Sequence, residues 1–358
     1  MSLQPTIKDV ARLAGVSIGT VDRVIHNRGR VSEKSLIAVQ DAINTLGYHT
    51  SPIASALVRY RNKCKIGVLI PEVESEFWSE ALRGVKSVRE RLLSFGVELV
   101  IEKTSTYYLD DQLAAVKRLL SKDVNALTLI PVEGANSVLD EIIPESIPYA
   151  TVIEDIPGSR RLFHIGPNDY AMGRLSGRLV SLYIRNPIQC IILAANRQFK
   201  GTIDRITGFN EFLKQNNPDF TLIDVCEVPL VSEEIGYKSM YEITEQQLEK
   251  HPEVNVFYVT NGLTQWAAAA VKNHKRKGSV LVFGYERTRM TCNFINDGII
   301  GATICQGPAQ EWYNAISIMY YYLIGSTPAP DPSVINSECR ILMKESIPLV
   351  NLDNFTLF

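Results

Sequence analysis

From Lys65 onward, short apolar runs alternate with amphipathic stretches, and that alternation restricts the chain to very few folds. Residues 66–70 (Ile-Gly-Val-Leu-Ile) read as a buried strand, and Ala81, Val85, Val88 and Leu92 stripe the helix that follows, which ends at Gly96. Strands are expected over 97–101, 126–132 and 149–153, with helices over 112–121 and 135–142 between them. Repeated strand–helix–strand units build a parallel sheet with right-handed crossovers. A second run begins at 188–193 and continues through strands at 222–225, 254–259 and 280–283. The pattern therefore predicts two doubly wound parallel-sheet subdomains with a cleft between them at the strand ends. Segments 299–304 and 310–324 belong to one half or the other.

Composition excludes several classes. Hydrophobic residues make up 46% of the 358 and charged residues 21%, which rules out a disordered or collagen-like chain. No apolar run approaches the ~20 residues of a membrane span, and no apolar leader opens the chain. The six cysteines are scattered without CxxC spacing, and the five histidines are unclustered. No metal or cofactor is expected, and a reduced, cytoplasmic location fits better than a disulfide framework.

Charge is unevenly spread. Residues 1–65 carry ten Lys/Arg against four acids, a net of +6, whereas the rest of the chain carries −8. A basic head on an acidic body suggests a polyanion partner for the head alone. That head reads as three short helices. Thr6 and Asp9 favour a helix start, followed by Ile7, Val10, Ala11 and Ala14 at helical spacing. Gly15 breaks the helix and Ser17 caps a second one from Ile18 to about Ile25. A third runs over 32–46, with Leu36, Val39, Ile43 and Leu46 as its apolar stripe and Gly47 at its end.

The detailed string is more specific than the outline. Thr6-Ile7-Lys8-Asp9-Val10-Ala11, Ala14-Gly15-Val16-Ser17, Thr20-Val21-x-Arg23-Val24, Asn27, Val31-Ser32 and Leu46-Gly47-Tyr48 closely resemble the LacI/GalR family of bacterial transcription regulators. The resemblance implies that the second helix enters the major groove of operator DNA. It implies phosphate contacts at Thr6, Ser17, Thr20 and His26, which set register without reading sequence. Ile18 and Gly19 match the leading base-reading positions and Arg23 a third, where a guanine edge and a phosphate are both within its chemistry. Two positions depart from the family: Gly19 has no side chain to read with, and Asp22 stands where Ser is usual.

Residues 51–58 (Ser-Pro-Ile-Ala-Ser-Ala-Leu-Val) suit a two-turn helix, with Ser51 as cap and Pro52 at its first position. By the resemblance this hinge folds on DNA as a pair in a dimer, Ala54 allowing close approach and Leu57 wedging a base step from the minor groove. The expected organisation is therefore a small all-α helix-turn-helix headpiece (1–50), a hinge (51–62) and a periplasmic-binding-protein-like α/β body (63–358) that binds an effector and dimerises.

The same resemblance places effector contacts after the body's strands. Phe77 and Trp78 would stack on sugar rings, though core packing also explains them. Glu154 and Asp155 match an acidic contact, and Arg205, beside Gly208-Phe209, an arginine that grips ligand oxygens. Asn261, Glu286 (where Asp is usual) and Gln306 match further positions. Asn168–Arg174 reads mainly as structural, with Asp169 capping a helix and Gly173 permitting close packing. Three carboxylates against one arginine predict an acidic cleft for a neutral, hydroxyl-rich ligand, a sugar or polyol.

The leading expectation is a ligand-responsive regulator, a repressor, binding a palindromic operator as a homodimer without membrane contact. The alternatives are a solute-binding protein for sugar transport, a regulator responding to a nucleobase or sugar phosphate, and an enzyme using Glu154 and Glu286 as an acid/base pair, for which no nucleophile, metal or phosphate loop is in view.

Overall fold

The computed structural model describes residues 5–25, 31–46, 64–72, 75–185, 187–195, 199–230, 233–275 and 278–349. The chain divides into two compact units, a small N-terminal one up to residue 63 and a larger body from Cys64 onward.

In the small unit, α1 spans Ile7–Ala14, α2 Ile18–Ile25 and α3 Glu33–Leu46. Each start has its own hydrogen bonds. The Asp9 carboxylate accepts from both the amide and the hydroxyl of Thr6, at 2.9 and 2.6 Å, and the Thr6 side chain faces the Asp9 amide in return, which makes a capping box. Ser17 Oγ accepts from the Thr20 amide at 3.1 Å, and Ser32 Oγ from the Ser35 amide at 3.2 Å. Gly15 closes α1 with φ 65, the left-handed cap geometry that favours a residue without Cβ. Val10, Ala11, Val21, Val39 and Ala42 form the buried core of this unit. Leu36 is not part of the expected stripe: it is 45% exposed, because the face of α3 that meets the core runs through Val39, Ala42, Ile43 and Leu46.

The body holds two six-stranded sheets. The first contains β1 (Cys64–Pro71), β2 (Val97–Thr104), β3 (Ala126–Leu129), β4 (Tyr149–Val152), β5 (Phe163–Gly166) and β11 (Val334–Asn336), in the order β11-β5-β4-β3-β1-β2. The second contains β6 (Ile188–Ala195), β7 (Phe220–Val228), β8 (Val256–Val259), β9 (Leu281–Tyr285), β10 (Ile300–Cys305) and β12 (Arg340–Leu342), in the order β12-β10-β9-β8-β6-β7. The pairings are parallel except that of β10 with β12. Both faces of the central strands of the second sheet are dry. Ile191, Leu193, Phe257 and Val259 pack into one core, and the alternate residues Cys190, Ile192, Ala194 and Tyr258 into another. This is why the strands read as continuous apolar runs: a sheet covered on both faces loses the polar half of the period-2 pattern.

The two halves are not consecutive in sequence. The chain passes from the first lobe to the second after β5, back after β10, and across again between β11 and β12. Helix Pro308–Leu323, unassigned from the sequence, returns to the first lobe and packs along helix Glu76–Leu93, where Arg91 donates to the hydroxyls of Tyr313 and Tyr321 at 2.6 Å each. β10 stays in the second lobe.

In the second lobe, helix Asp169–Tyr183 lies against helix Lys200–Asn216 at backbone distance. A Cβ on Gly173 would sit 2.1 Å from the Arg205 carbonyl oxygen, and one on Gly208 2.2 Å from the Tyr170 carbonyl oxygen. This crossing fixes the backbone of Arg205. Gly173→Ala is expected to lower stability by about 1–3 kcal/mol, read as a fall in the urea midpoint; an unchanged midpoint would mean that the helices part freely.

Candidate functional site

The headpiece presents one candidate surface. Ser17, Ile18, Gly19 and Arg23 are exposed on α2 while Val21, on its other side, is fully buried. Thr20 is half-buried, and its hydroxyl pairs with that of Ser17 at 2.9 Å. Ile18 keeps 45% of its surface exposed, an apolar side chain offered outward from an eight-residue helix. His26, Ala54, Leu57 and the hinge at 51–62 lie outside the described residues.

In the body, a cavity of about 370 Å³ lies where the carboxyl ends of the strands of both sheets meet. Pro71 and Thr104 come from the ends of β1 and β2, Ile130 and Val132 follow β3, and Ile153 and Glu154 follow β4. Ala195 ends β6, Leu230 follows β7, Asn261 and Leu263 follow β8, Glu286 and Thr288 follow β9, and Gln306 follows β10. A cleft at strand ends is where open parallel sheets bind ligands, because neighbouring crossovers diverge there and leave a crevice. Of the eight residues expected to hold the effector, Phe77, Trp78, Glu154, Arg205, Asn261, Glu286 and Gln306 line it.

Asp155 does not. Its carboxylate accepts from Nε and Nη2 of Arg161, the latter at 2.8 Å, and from the Ile156 amide at 2.8 Å. Burial works against its charge, but Arg161 and the neighbouring His164 hold it below the usual carboxylate range. It fastens the segment between β4 and β5 to itself, with both carboxylate oxygens engaged in these bonds. Asn168 is likewise structural: its Oδ1 caps helix Asp169–Tyr183, accepting from the Ala171 amide at 3.0 Å. Asp169, expected as that cap, instead pairs with Arg205.

Arg205 is the most constrained side chain of the cleft. Its Nε donates to Asp169 Oδ1 at 2.6 Å and its Nη1 to the Thr260 carbonyl at 2.7 Å, and its guanidinium lies 4.1 Å above the Tyr285 ring. Burial depresses its basicity, but Asp169, Tyr285, Tyr258 and Glu154 together outweigh that and raise it. The arginine is charged and its plane is preset.

The two acids behave differently from the sequence expectation. Burial pushes the Glu154 carboxyl up to about 8, helped by Asp169 and opposed by Arg205. Burial also pushes Glu286 up to about 8, against Arg205 and a hydrogen bond from Gln306. With Asp155 turned away and both glutamates largely protonated at neutral pH, the expected acidic cleft is close to neutral. Its polar wall carries unpartnered buried atoms: Gln265 Oε1, Trp266 Nε1, Glu286 Oε1 and Gln306 Oε1.

Sequence reading missed part of the lining. Tyr107, Phe199, Tyr237 and Trp266 join Phe77 and Trp78, with Trp266 stacked on Tyr237 at 4.9 Å and Trp78 Nε1 donating to Tyr107 at 3.3 Å. Gln112, fully inside, donates to the Ile130 carbonyl at 2.6 Å and accepts from the Val132 amide at 3.1 Å, which shapes the loop after β3. Tyr107, Phe199 and Trp266 follow strand ends, so the same positional rule would have found them. Backbone strain marks the site too. Ile153 and Glu286 both adopt φ 70, and they occupy the same place in the two lobes, immediately after β4 and β9. A β-branched residue there costs about 1–3 kcal/mol, a cost typical of ligand clamps.

These two units define the class: a helix-turn-helix joined to a two-lobed α/β module with a cleft at its strand ends. The sequence profile of the bacterial regulatory proteins of the lacI family matches residues 6–51, and that of the periplasmic binding protein domain matches residues 66–327. The chain belongs to the lacI family of transcription regulators and carries a periplasmic binding protein domain as its body. It is 27% identical to the transcriptional regulator DegA of Bacillus subtilis, over 80% of this chain and 82% of DegA. It is 26% identical to the ribose operon repressor of Halalkalibacterium halodurans, over 75% and 74%. Its fold matches that of GanP, a glucose-galactose binding protein from Geobacillus stearothermophilus, with a TM-score of 0.72 at 24% identity, over 80% of this chain and all of GanP. No described helix is long and apolar enough to cross a membrane.

The raised Glu286 carboxyl has a measurable consequence. The folded protein keeps a proton that the unfolded chain gives up near 4.5, so this group costs stability as pH rises from about 4.5 to about 8. The slope is at most about 1.4 kcal/mol per pH unit. Glu286→Gln removes it, so the variant should gain on the parent steadily between pH 5 and 8 and no further above 8, read from urea unfolding at each pH. A constant difference over that range would show Glu286 ionised throughout.

Proposed function

We propose that the protein represses transcription as a homodimer on a pseudo-palindromic operator and that a neutral, hydroxyl-rich molecule, a sugar or polyol, held in the cleft controls its grip. The proposed organisation is a headpiece over 1–50, a hinge over 51–62 and an effector-binding, dimerising body over 63–358. In the headpiece, Ile18 and Arg23 read base edges from the major groove while Thr6, Ser17, Thr20 and His26 hold phosphates; Gly19 lets the backbone approach the bases. Ala54 and Leu57 act in the hinge against the minor groove.

The single observation that supports the effector class is the set of buried, unpartnered polar atoms in a near-neutral, aromatic-lined cavity of about 370 Å³. Gln265, Glu286 and Gln306 offer acceptors and Trp266 a donor, while aromatic faces suit the apolar faces of a sugar ring. Protonated Glu154 and Glu286 both donate and accept, which matches hydroxyls and leaves a phosphate with only Arg205. The name of the ribose operon repressor is in keeping with this reading. Closure of the lobes around the effector would bias the hinge between ordered and disordered states. A transport role for the body alone leaves the headpiece without a use.

A thermal-shift screen of monosaccharides, polyols, sugar phosphates and nucleobases tests the effector class. One neutral sugar or polyol should raise the melting temperature by mass action, and Gln265→Ala should weaken its Kd about tenfold to a hundredfold. A shift produced only by phosphates or nucleobases would overturn this reading. On the DNA side, Arg23→Ala should weaken operator binding by about 1–3 kcal/mol if it reads a base, with relaxed specificity at one position. Uniform weakening across sequences would make it a phosphate contact.

A further inference from the structure

A second cavity, of about 580 Å³, lies beside the crossing between β11 and β12. Phe77, Glu286 and Gln306 line both cavities, so they form the partition between this one and the effector cleft. Its own lining is largely apolar but rich in carboxyls. Glu80, Glu286, Glu311 and Glu338 face it, against Arg287 and Arg340. Arg287 is already engaged, with Nη2 3.5 Å from Glu80. Glu311 has no such cation. It is 1% exposed on the first turn of helix Pro308–Leu323, its Oε1 accepts from the Ser337 hydroxyl at 2.5 Å, and its Oε2 has no partner.

A buried carboxyl with one satisfied and one unsatisfied oxygen costs stability, because desolvation is not repaid. Glu311, Glu286 and Glu80 feel one another's charge, and burial pushes Glu311 up to about 7. The deep wall made by Glu311, Glu286 and Gln306 offers acceptors, and carboxyls outnumber guanidiniums on the lining as a whole. No group of acidic, His or Cys side chains among the described residues is arranged to hold a metal ion. An anion would meet this wall with repulsion. A group that brings both hydrogen-bond donors and positive charge meets it with attraction.

We propose that this second cavity is a binding site for a small primary ammonium compound, whose N–H donors are taken by Glu311 Oε2 with Glu286 and Gln306 beside it. Ser337 lies on the segment that crosses between the lobes, between β11 in the first sheet and β12 in the second. A ligand seated on Glu311 therefore touches the crossing and shares a wall with the effector cleft. The assignment rests on Glu311, which lines this cavity and not the front cleft, so it does not depend on the identity of the effector, although Glu286 and Gln306 belong to both walls.

The test uses the full chain at pH 8 and constant ionic strength. Thermal-shift titrations compare ethylamine, ethanolamine and putrescine, all cationic N–H donors, with tetramethylammonium, which has the charge and no donor, and with sorbitol. At least one primary amine should raise the melting temperature saturably while tetramethylammonium and sorbitol do not. Glu311→Gln keeps the acceptor for Ser337 and the side-chain volume, and should weaken the amine tenfold or more. Glu154→Gln, which lines only the front cleft, should leave it unchanged. Should Glu311→Gln fail to fold, Glu311→Asp withdraws the carboxylate by one methylene and should show the same loss. No shift with any amine, equal shifts with tetramethylammonium, or amine binding that survives at Glu311 variants and disappears in Glu154→Gln would each overturn the assignment.

Discussion

The ion pair of Arg205 with Asp169 is the contact on which the second lobe's side of the cleft depends. The two side chains are only 10% and 12% exposed, and they join the first turn of one helix to the second turn of another packed against it at backbone distance. The remaining guanidinium bond runs to the carbonyl of Thr260, just after β8, and its face lies on Tyr285 at the end of β9. One side chain thus ties two helices and two strand ends to a common point. Such a pair is weak evidence for stability but strong evidence for placement, since losing either partner would strand a buried charge at a cost of about 3–5 kcal/mol. The close approach of Gly173 and Gly208 makes the geometry reproducible, because no side chain intervenes that could repack.

Around that fixed cation the cleft holds acids that burial keeps protonated. Glu154 and Glu286 are carboxyls in name, yet near neutral pH they act largely as neutral donors and acceptors. Strained backbone at Ile153 and Glu286 places the two lobes' contributions on matching turns. The design is symmetric in its logic: each lobe supplies one acid or its neighbour from a left-handed residue immediately after a central strand. The polar partition formed by Glu286 and Gln306 then faces two cavities, which links whatever occupies one to the walls of the other.

Much of this was legible beforehand. Helices α1 and α2 and the alternation of strands and helices follow from periodicity and capping residues, while the resemblance to the LacI/GalR family implied the eight cleft positions, seven of which line the cavity. Elsewhere local reasoning failed for identifiable reasons. Leu36 looked like core because helical spacing defines a stripe but not its centre, and the packed face of α3 lies to one side of it. Asp155 looked like a ligand contact because Glu154-Asp155 matches an acidic position of the family; the chain bends at the left-handed Ile153 after β4, and Arg161 claims the Asp155 carboxylate. The strands β5, β11 and β12 are short, four, three and three residues, too few for a period to register.

The sequence by itself determined the architecture, since apolar runs at strand length demand doubly wound sheets and capping and breaking residues set three short helices at the N-terminus, and the detailed N-terminal string carried the resemblance that gives the class. Only the tertiary structure decided the electrostatics of the site. Whether a glutamate is an anion or a neutral hydrogen-bonding group depends on how much water and which charges surround it, and those neighbours include residues as far apart in sequence as Glu80 and Glu286. The same holds for which lobe receives helix Pro308–Leu323, and for Glu311, an unremarkable acid in sequence that becomes a buried, half-satisfied carboxyl only once that helix has crossed back.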